Sequence, residues 1–291
     1  MLSLVLPKGS LEPATLALFE AADLTVRRGS DRDYHAAIDD PRVDRVRFLR
    51  PQEIPQYVEQ GLFDLGITGR DWVAETGASV VSLSELAYSK ATSNPVRIVL
   101  AVPRDHPAET GLELPAGSRV STEYPELTRR FFEKAGLDVL IVPSYGATEA
   151  KVPDIVDAIV DVTETGSSLR KHGLKVIETL LVSRTELIAN PAAHADDTKR
   201  SAMEDLLTLL QGAISARGRV LLKLNVPDDR LAAVLAQLPA MTSPTVTALA
   251  NGGYHAVETV VPKLGVNTLI PALKSAGARD ILELPISKIV E

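Results

Sequence analysis

Apolar positions recur along this chain in two rhythms. Short runs rich in Leu, Val and Ile, at residues 2–6, 46–49, 62–67 and 80–87, have the length and β-branched content of buried strands. Between them, apolar residues return every three or four positions, as Leu11, Ala14, Leu18 and Ala21 do within 9–22, which predicts helices with one buried side. A Pro51-led helix running through Tyr57 and Val58, and a short helix at 70–76 closed by Gly77, complete a first α/β unit. The pattern restarts at Asn94. Strands are predicted at 96–102, 119–121, 139–142 and 157–162, a helix at 123–135 stopped by Gly136, and a long apolar stretch at 175–189. Strands alternating with helices define an α/β architecture, and the junction of two such units is a natural ligand cleft.

The last part has a different order. Residues 199–216 carry Ala202, Met203, Leu206, Leu207, Leu209, Leu210 and Ala213 at helical spacing, after a polar stretch at 190–199 that reads as a connector. A strand at 220–226, a helix at 228–238, strands at 245–249 and 255–261, a helix at 266–276 and a strand at 280–286 then spell βαββαβ. That order is the ferredoxin-like motif.

Composition narrows the function. With 31 Lys+Arg against 38 Asp+Glu, the 291-residue chain has a formal charge of −7, which disfavours a generic nucleic-acid binder but leaves room for an anionic small molecule in a locally positive pocket. The absence of Cys removes disulfides, thiolate metal sites and Cys nucleophiles together. His35, His106, His172, His194 and His255 show no HExxH or paired spacing, so a protein-caged zinc site is not expected. The opening MLSLVLPKGSLEPA lacks the features of an export signal and no apolar run approaches bilayer length, so a soluble, cytoplasmic protein without a membrane partner is expected.

Four strand-to-helix turns carry candidate chemistry. In Asp157-Ala-Ile-Val-Asp161-Val-Thr-Glu164-Thr165-Gly166-Ser167-Ser168-Leu169, a buried strand empties through acidic residues into a Thr-Gly-Ser-Ser turn. Backbone N–H groups and hydroxyls converging there suit a phosphate, while the carboxylates can accept from ribose hydroxyls. The same residues would also serve as an acidic strand end with a Ser/Thr helix cap. Lys8 with Gly9 and Ser10, Arg50 before Pro51, and Gly69 with Asp71 in DLGITGRD are three further turns; the last two are equally readable as ordinary βα connections, and Lys8 alone reads first as a surface lysine beside a capped helix. All four would converge on one crevice of a two-unit α/β protein.

Taken in order, LPKGSL at Leu6, FLRPQEIPQYVEQG at Phe48, DLGITGRDWV at Asp64, NPVRIVLAVP at Asn94, STEYPELTRRFF at Ser121, DAIVDVTETGSSL at Asp157 and SPTVTAL at Ser243 span nearly the whole chain. With them the sequence resembles the ATP phosphoribosyltransferase family in its long form; GITGRD and DVTETG are the specific parts. The resemblance implies two periplasmic-binding-protein-like (type II) catalytic domains, 1–88 with 184–205 and 89–183, followed by an ACT-like regulatory domain at 206–291. It implies a glycosyl transfer in which N1 of ATP's adenine attacks C1 of phosphoribosyl pyrophosphate, with Mg2+ arriving on the pyrophosphate, in a homo-oligomer of dimers up to a hexamer.

By the same resemblance, Thr165, Gly166, Ser167 and Ser168 take the 5-phosphate, Asp161 and Glu164 the ribose hydroxyls, and Lys8 and Arg50 the pyrophosphate or triphosphate charge. Gly9, Gly69 and Asp71 line the nucleotide side. Thr245, Leu249 and Ala278 are placed where the family holds the inhibitor histidine. Three positions depart from the pattern: Ser10 stands for an Arg, Thr163 for an aliphatic residue and Ser168 for a Thr. The competing readings are a non-catalytic two-domain solute-binding protein and a purely regulatory amino-acid sensor.

Overall fold

The computed structural model describes residues 1–88, 94–239, 241, 243–250 and 252–291. They form two units, Met1–Glu20 with Leu24–Leu207, and Ala21–Asp23 with Thr208–Glu291. The first unit contains two sheets. The chain begins with β1 (Leu2–Pro7), β2 (Val26–Arg27), β3 (His35–Ile38), β4 (Val43–Leu49), β5 (Leu65–Gly69) and β6 (Val81–Leu86). It then lays down β7 (Val96–Pro103), β8 (Arg119–Thr122), β9 (Leu140–Pro143), β10 (Ala158–Thr163) and β11 (Leu174–Ser183), before β12 (Thr185–Ala189). The first sheet runs β2-β3-β4-β1-β5-β12-β6 and the second β11-β7-β10-β8-β9.

The apolar stretch at 175–189 is therefore two strands in two sheets, broken at Arg184. β12 inserts antiparallel between β5 and β6. Residues 89–93, where the sequence reading placed the earlier crossing between domains, lie outside the described residues.

Burial explains which runs were readable. In β7, Ile98, Leu100 and Val102 belong to one core cluster while Val99 and Ala101 belong to another, so the strand is covered on both faces and reads as unbroken hydrophobicity. The polar segment that forms β2 and β3 lacks such a signal, because both strands are short and largely exposed at the sheet edge. The stretch at 190–199, expected as a connector, contains a short helix at Pro191–Ala195. Asn190 caps it by accepting the Ala193 N–H at 2.9 Å, and Pro191 occupies its first turn.

The helices of this unit include α1 (Glu12–Ala21), α2 (Ile54–Glu59), α3 (Arg70–Thr76), α4 (Pro125–Ala135), α5 (Ser167–Lys171) and α6 (Pro191–Ala195). α7 (Asp197–Ala216) contains the boundary between the units, and no described helix is long and apolar enough to cross a membrane. The second unit is β13 (Arg219–Pro227), α8 (Leu231–Leu235), β14 (Thr245–Ala248), β15 (Tyr254–Pro262), α9 (Val266–Ser275) and β16 (Arg279–Pro285), with the antiparallel order β14-β15-β13-β16. That is the expected ferredoxin-like sheet. Val220, Leu222, Leu224 and Val226 alternate into its core against Val234 and Leu273. The helix expected over 228–238 is shorter, because a 3-10 turn at Asp228–Arg230 precedes α8.

One close approach fixes the first sheet against α2. A Cβ on Gly66 would meet Ile54 Cγ2 at 2.7 Å, Val58 Cγ2 at 2.8 Å and Val5 Cγ1 at 3.1 Å, all in the packed core. Gly66→Ala is accordingly expected to destabilise the protein by about 1–3 kcal/mol through overpacking, measured by chemical denaturation. Wild-type stability in that variant would show that α2 is free to move outward.

Candidate functional site

Three parallel strands deliver their C-terminal ends to one edge of the first sheet. β1 lies between β4 and β5, and Pro7 pairs with Leu49, so Lys8 and Arg50 leave neighbouring strands side by side, with Gly69 ending the third. These ends bound a cleft of about 280 Å³. Lys8, Ser10, Arg50, Gly69 and Asp71 line it from the first sheet, and Glu123, Tyr124 and Val162 from the second. The predicted ligand-side residues Lys8, Arg50, Gly69 and Asp71 are thus brought together, with Gly9 between two wall residues.

The two cations differ in their surroundings. The Lys8 ammonium donates to the Asp31 carbonyl at 2.7 Å and lies 3.5 Å from the Glu12 carboxylate, which also binds Arg28 at 2.6 Å. Arg50 has no ion-pair partner among the described residues, and its Nη1 lies 3.4 Å from where a Cβ on Gly9 would stand. A positive group without a carboxylate on a ligand cleft is free to meet an incoming anion.

Asp71 does something sequence reading did not foresee. It is buried, and both carboxylate oxygens are engaged: Oδ1 accepts the Ser183 hydroxyl at 2.6 Å and Oδ2 accepts the Tyr124 hydroxyl at 2.9 Å. The Asp71 N–H donates back to Ser183 Oγ at 3.0 Å. One turn further along α3, buried Glu75 accepts the N–H groups of Glu126 and Leu127 at 2.9 and 2.8 Å, capping α4 from outside its own sequence. Trp72 stacks on Tyr124 with ring centroids 4.5 Å apart. α3 and α4, on different sheets, are thereby joined by two carboxylates and a ring pair. Burial and the adjacent Asp71 charge push the Tyr124 phenol well above its ordinary range, so it remains a donor. The i, i+4 spacing of Asp71 and Glu75 was the available sequence signal, placing both on one helix face.

Asp161 lies near the end of β10, with its Oδ1 accepting the Val162 N–H at 2.7 Å. Burial pushes its pKa up to about 6; the Glu149 and Glu123 charges add to the rise, while the Val162 N–H and the Lys151 ammonium oppose it. Lys151 donates to the Ser144 hydroxyl at 2.5 Å and lies 3.4 Å from that of Ser121. The carboxylate therefore belongs to a polar cluster of which only Asp161 was singled out from sequence.

After Asp161 the chain enters the Thr-Gly-Ser-Ser turn. Thr163 Oγ1 accepts the Gly166 N–H at 2.8 Å, Thr165 and Ser167 hydroxyls are 3.1 Å apart, and the Ser168 hydroxyl donates to Glu149 at 3.1 Å. Gly166 holds φ +72°, a left-handed conformation that a side chain would strain. Half-buried Glu164 opens this turn. Residues 164–168 are not walls of the cleft; Val162, two residues before them, is. Thr163, unusual in the resemblance, has a local explanation in its bond to Gly166.

In the second unit, Thr245 is exposed on edge strand β14 and Leu249 follows that strand, its N–H bonded to the Tyr254 carbonyl at 2.9 Å. The Ala278 side chain is packed in the core. Only its backbone can face a ligand. No group of three or more His, Cys, Asp or Glu able to hold a metal occurs among the described residues.

The β4-β1-β5-β12-β6 order, with a late strand returning antiparallel between β5 and β6, and a cleft between two sheets, define the two-lobed α/β class of type II periplasmic-binding-protein-like folds, here followed by an ACT-like βαββαβ unit. A family model described as ATP phosphoribosyltransferase matches residues 50–212, and one described as HisG, C-terminal domain, matches residues 216–288. The chain is 47% identical over 291 residues to an ATP phosphoribosyltransferase of Pelotomaculum thermopropionicum, covering 99% of both chains. It is 48% identical over 289 residues to that of Koribacter versatilis, again with 99% of each covered. Among solved structures, the ATP phosphoribosyl transferase (HisG:HisZ) complex from Thermotoga maritima matches with a TM-score of 0.62 and 26% identity, over 72% of this chain and 98% of that one. The chain belongs to the ATP phosphoribosyltransferase family.

Two measurements check this site. Tyr124→Phe keeps the ring stack but removes a donor from a buried carboxylate, so a loss of about 1.5–3 kcal/mol in denaturant stability is expected; no loss would mean that water satisfies Asp71. Carbon NMR of the Asp161 carboxyl should give a midpoint near 6, lowered in Glu149→Gln and raised in Lys151→Met. An ordinary aspartate midpoint would place Asp161 in solvent.

Proposed function

We propose that this chain condenses ATP with phosphoribosyl pyrophosphate to N1-(5-phosphoribosyl)-ATP and pyrophosphate, the first step of histidine biosynthesis. The observation that carries the reading is the full-length identity to relatives bearing that activity's name. The division of labour would follow 1–88 with 184–205 and 89–183 for catalysis, and 206–291 for regulation.

The reaction joins an aromatic nitrogen of low nucleophilicity to an anomeric carbon. Bond breaking to pyrophosphate therefore runs ahead of attack, and positive charge develops on the ribose. The chain's task is to hold both substrates in line, stabilise the leaving charge and exclude water. Lys8 and Arg50 would meet the pyrophosphate or triphosphate oxygens, Lys8 by turning from the Asp31 carbonyl. Asp161 and Glu164 would accept from the ribose hydroxyls. The ionised Asp161 would also sit beside the developing positive charge.

The N–H groups and hydroxyls of Thr165, Gly166, Ser167 and Ser168 would hold the 5-phosphate, with Ser168 turning its hydroxyl from Glu149. Gly9 and Gly69 keep the nucleotide side open, and Asp71 sets that wall through Ser183 and Tyr124. Magnesium enters on the pyrophosphate as part of the substrate. Histidine would bind around Thr245, Leu249 and the Ala278 backbone in a cytoplasmic oligomer of dimers, up to a hexamer. It would act by favouring a less active arrangement of the subunits.

Pyrophosphate release should require both substrates, and kcat/KM for phosphoribosyl pyrophosphate should fall as pH drops through about 6, where Asp161 takes up a proton. Asp161→Asn should remove that limb and lower the plateau roughly tenfold to a hundredfold. Binding of both substrates without pyrophosphate release would return the chain to the solute-binding class. Thr245→Ala should relieve histidine inhibition without changing kcat; unchanged inhibition would move the effector elsewhere.

Thr163→Val should raise KM for phosphoribosyl pyrophosphate roughly threefold to tenfold and leave KM for ATP unchanged, because the Gly166 N–H loses its acceptor. Thr163→Ser should restore it. Equal effects on both KM values would mean the bond supports the lobe rather than the turn.

A further inference from the structure

A second concavity of about 350 Å³ lies in the same unit and shares no lining residue with the cleft. Arg97 from the start of β7, Arg104 just past its end, Arg170 from α5 and Lys175 from β11 surround an apolar floor of Leu169 and Leu174. Glu109, 2.5 Å from Lys175, is the one carboxylate in ion-pair contact with any of these four cations among the described residues. Three arginines thus line one concavity with no ion-pair partner among the described residues, on a chain whose net charge is −7. Like charges repel, and their placement around one concavity is stabilised when an anion occupies it. Guanidinium forks fit phosphate oxygens two at a time, and a floor of two buried leucines suits the non-polar part of an organic molecule. The volume is that of a nucleotide-sized ligand.

Gly166 of the turn is itself on the wall of this groove, and Arg170 holds the two together. Its Nη1 donates to the Thr165 carbonyl at 3.0 Å and lies 2.9 Å from where a Cβ on Gly166 would be, so the guanidinium packs directly against the turn backbone. An anion that draws Arg170 toward Arg97 and Arg104 takes a donor from Thr165 and changes the backbone that faces the 5-phosphate.

We propose that this groove binds a small organic polyphosphate and, through Arg170, sets how firmly residues 165–168 hold phosphoribosyl pyrophosphate. The coupling rests on the reading of that turn as the 5-phosphate grip; the binding does not. By linkage, a ligand that weakens the grip must itself bind less well when substrate is present.

Inorganic tripolyphosphate is the probe, with wild type and Arg97→Gln/Arg104→Gln compared by titration calorimetry and by steady-state kinetics on the full chain. Wild type should show a binding class that survives saturation of the cleft with ATP, and the double variant should bind at that class at least about tenfold more weakly. Without probe the variant should keep the wild-type kcat and KM values, whereas with probe only wild type should change its KM for phosphoribosyl pyrophosphate. Identical isotherms would remove the site. A raised KM in the variant without probe would make the groove part of the substrate site, and a changed sedimentation profile would make it a contact between subunits. Probe binding that leaves KM untouched would overturn the coupling, and if the 165–168 reading is itself at fault Thr163→Val will leave KM unchanged as well.

Discussion

The carboxylate of Asp71 is the point through which the two sheets of the catalytic-type unit are held to one another. A buried carboxylate is costly unless its oxygens are satisfied, and here the donors come from Ser183 and from Tyr124 across the cleft. Glu75 repeats the device one helical turn later by capping α4. Removing either sheet from this arrangement would leave a charge in a low-dielectric setting without partners. One wall of the cleft is therefore hydrogen-bonded to both sheets.

Charge is distributed around that wall with a purpose that net composition conceals. Lys8 and Arg50 stand at adjacent strand ends, where an anion's charge can be met, while the charges of Glu149 and Glu123 add to the rise that burial imposes on Asp161. A carboxylate held this close to neutrality senses its ligand strongly: a positive charge appearing on a bound sugar favours the ionised form, and an anion brought near disfavours it. The Lys151 ammonium works against that rise.

Much of the architecture was readable because burial writes itself into periodicity. β7 announced itself through five consecutive apolar residues, and the βαββαβ order of the second unit followed from strand and helix spacing alone. Periodicity reports the face of an element but not the sheet to which it belongs, so 175–189 reads as one apolar stretch and only the family resemblance divides it, between 183 and 184. The strand-end residues Lys8, Arg50 and Gly69 were legible for a different reason: parallel strands deliver their ends to one edge whatever their sequence. Asp71 was found but its role was not, since its partner Ser183 is 112 positions away and no local pattern encodes that bond. Likewise Ala278 carries no mark of being a core methyl group rather than a ligand contact.

The insertion of β12 between β5 and β6 has a consequence for how the polypeptide is made. Synthesis proceeds from the N-terminus, and early segments ordinarily begin to fold before later ones exist. Here the N-terminal sheet lacks its penultimate strand until residue 189 has emerged, by which time every strand of the other sheet is already present. β5 and β6 thus wait on the nascent chain with unpaired edges, exposed to mispairing for the time taken to translate roughly a hundred further residues. The sheet begun first is thus completed last.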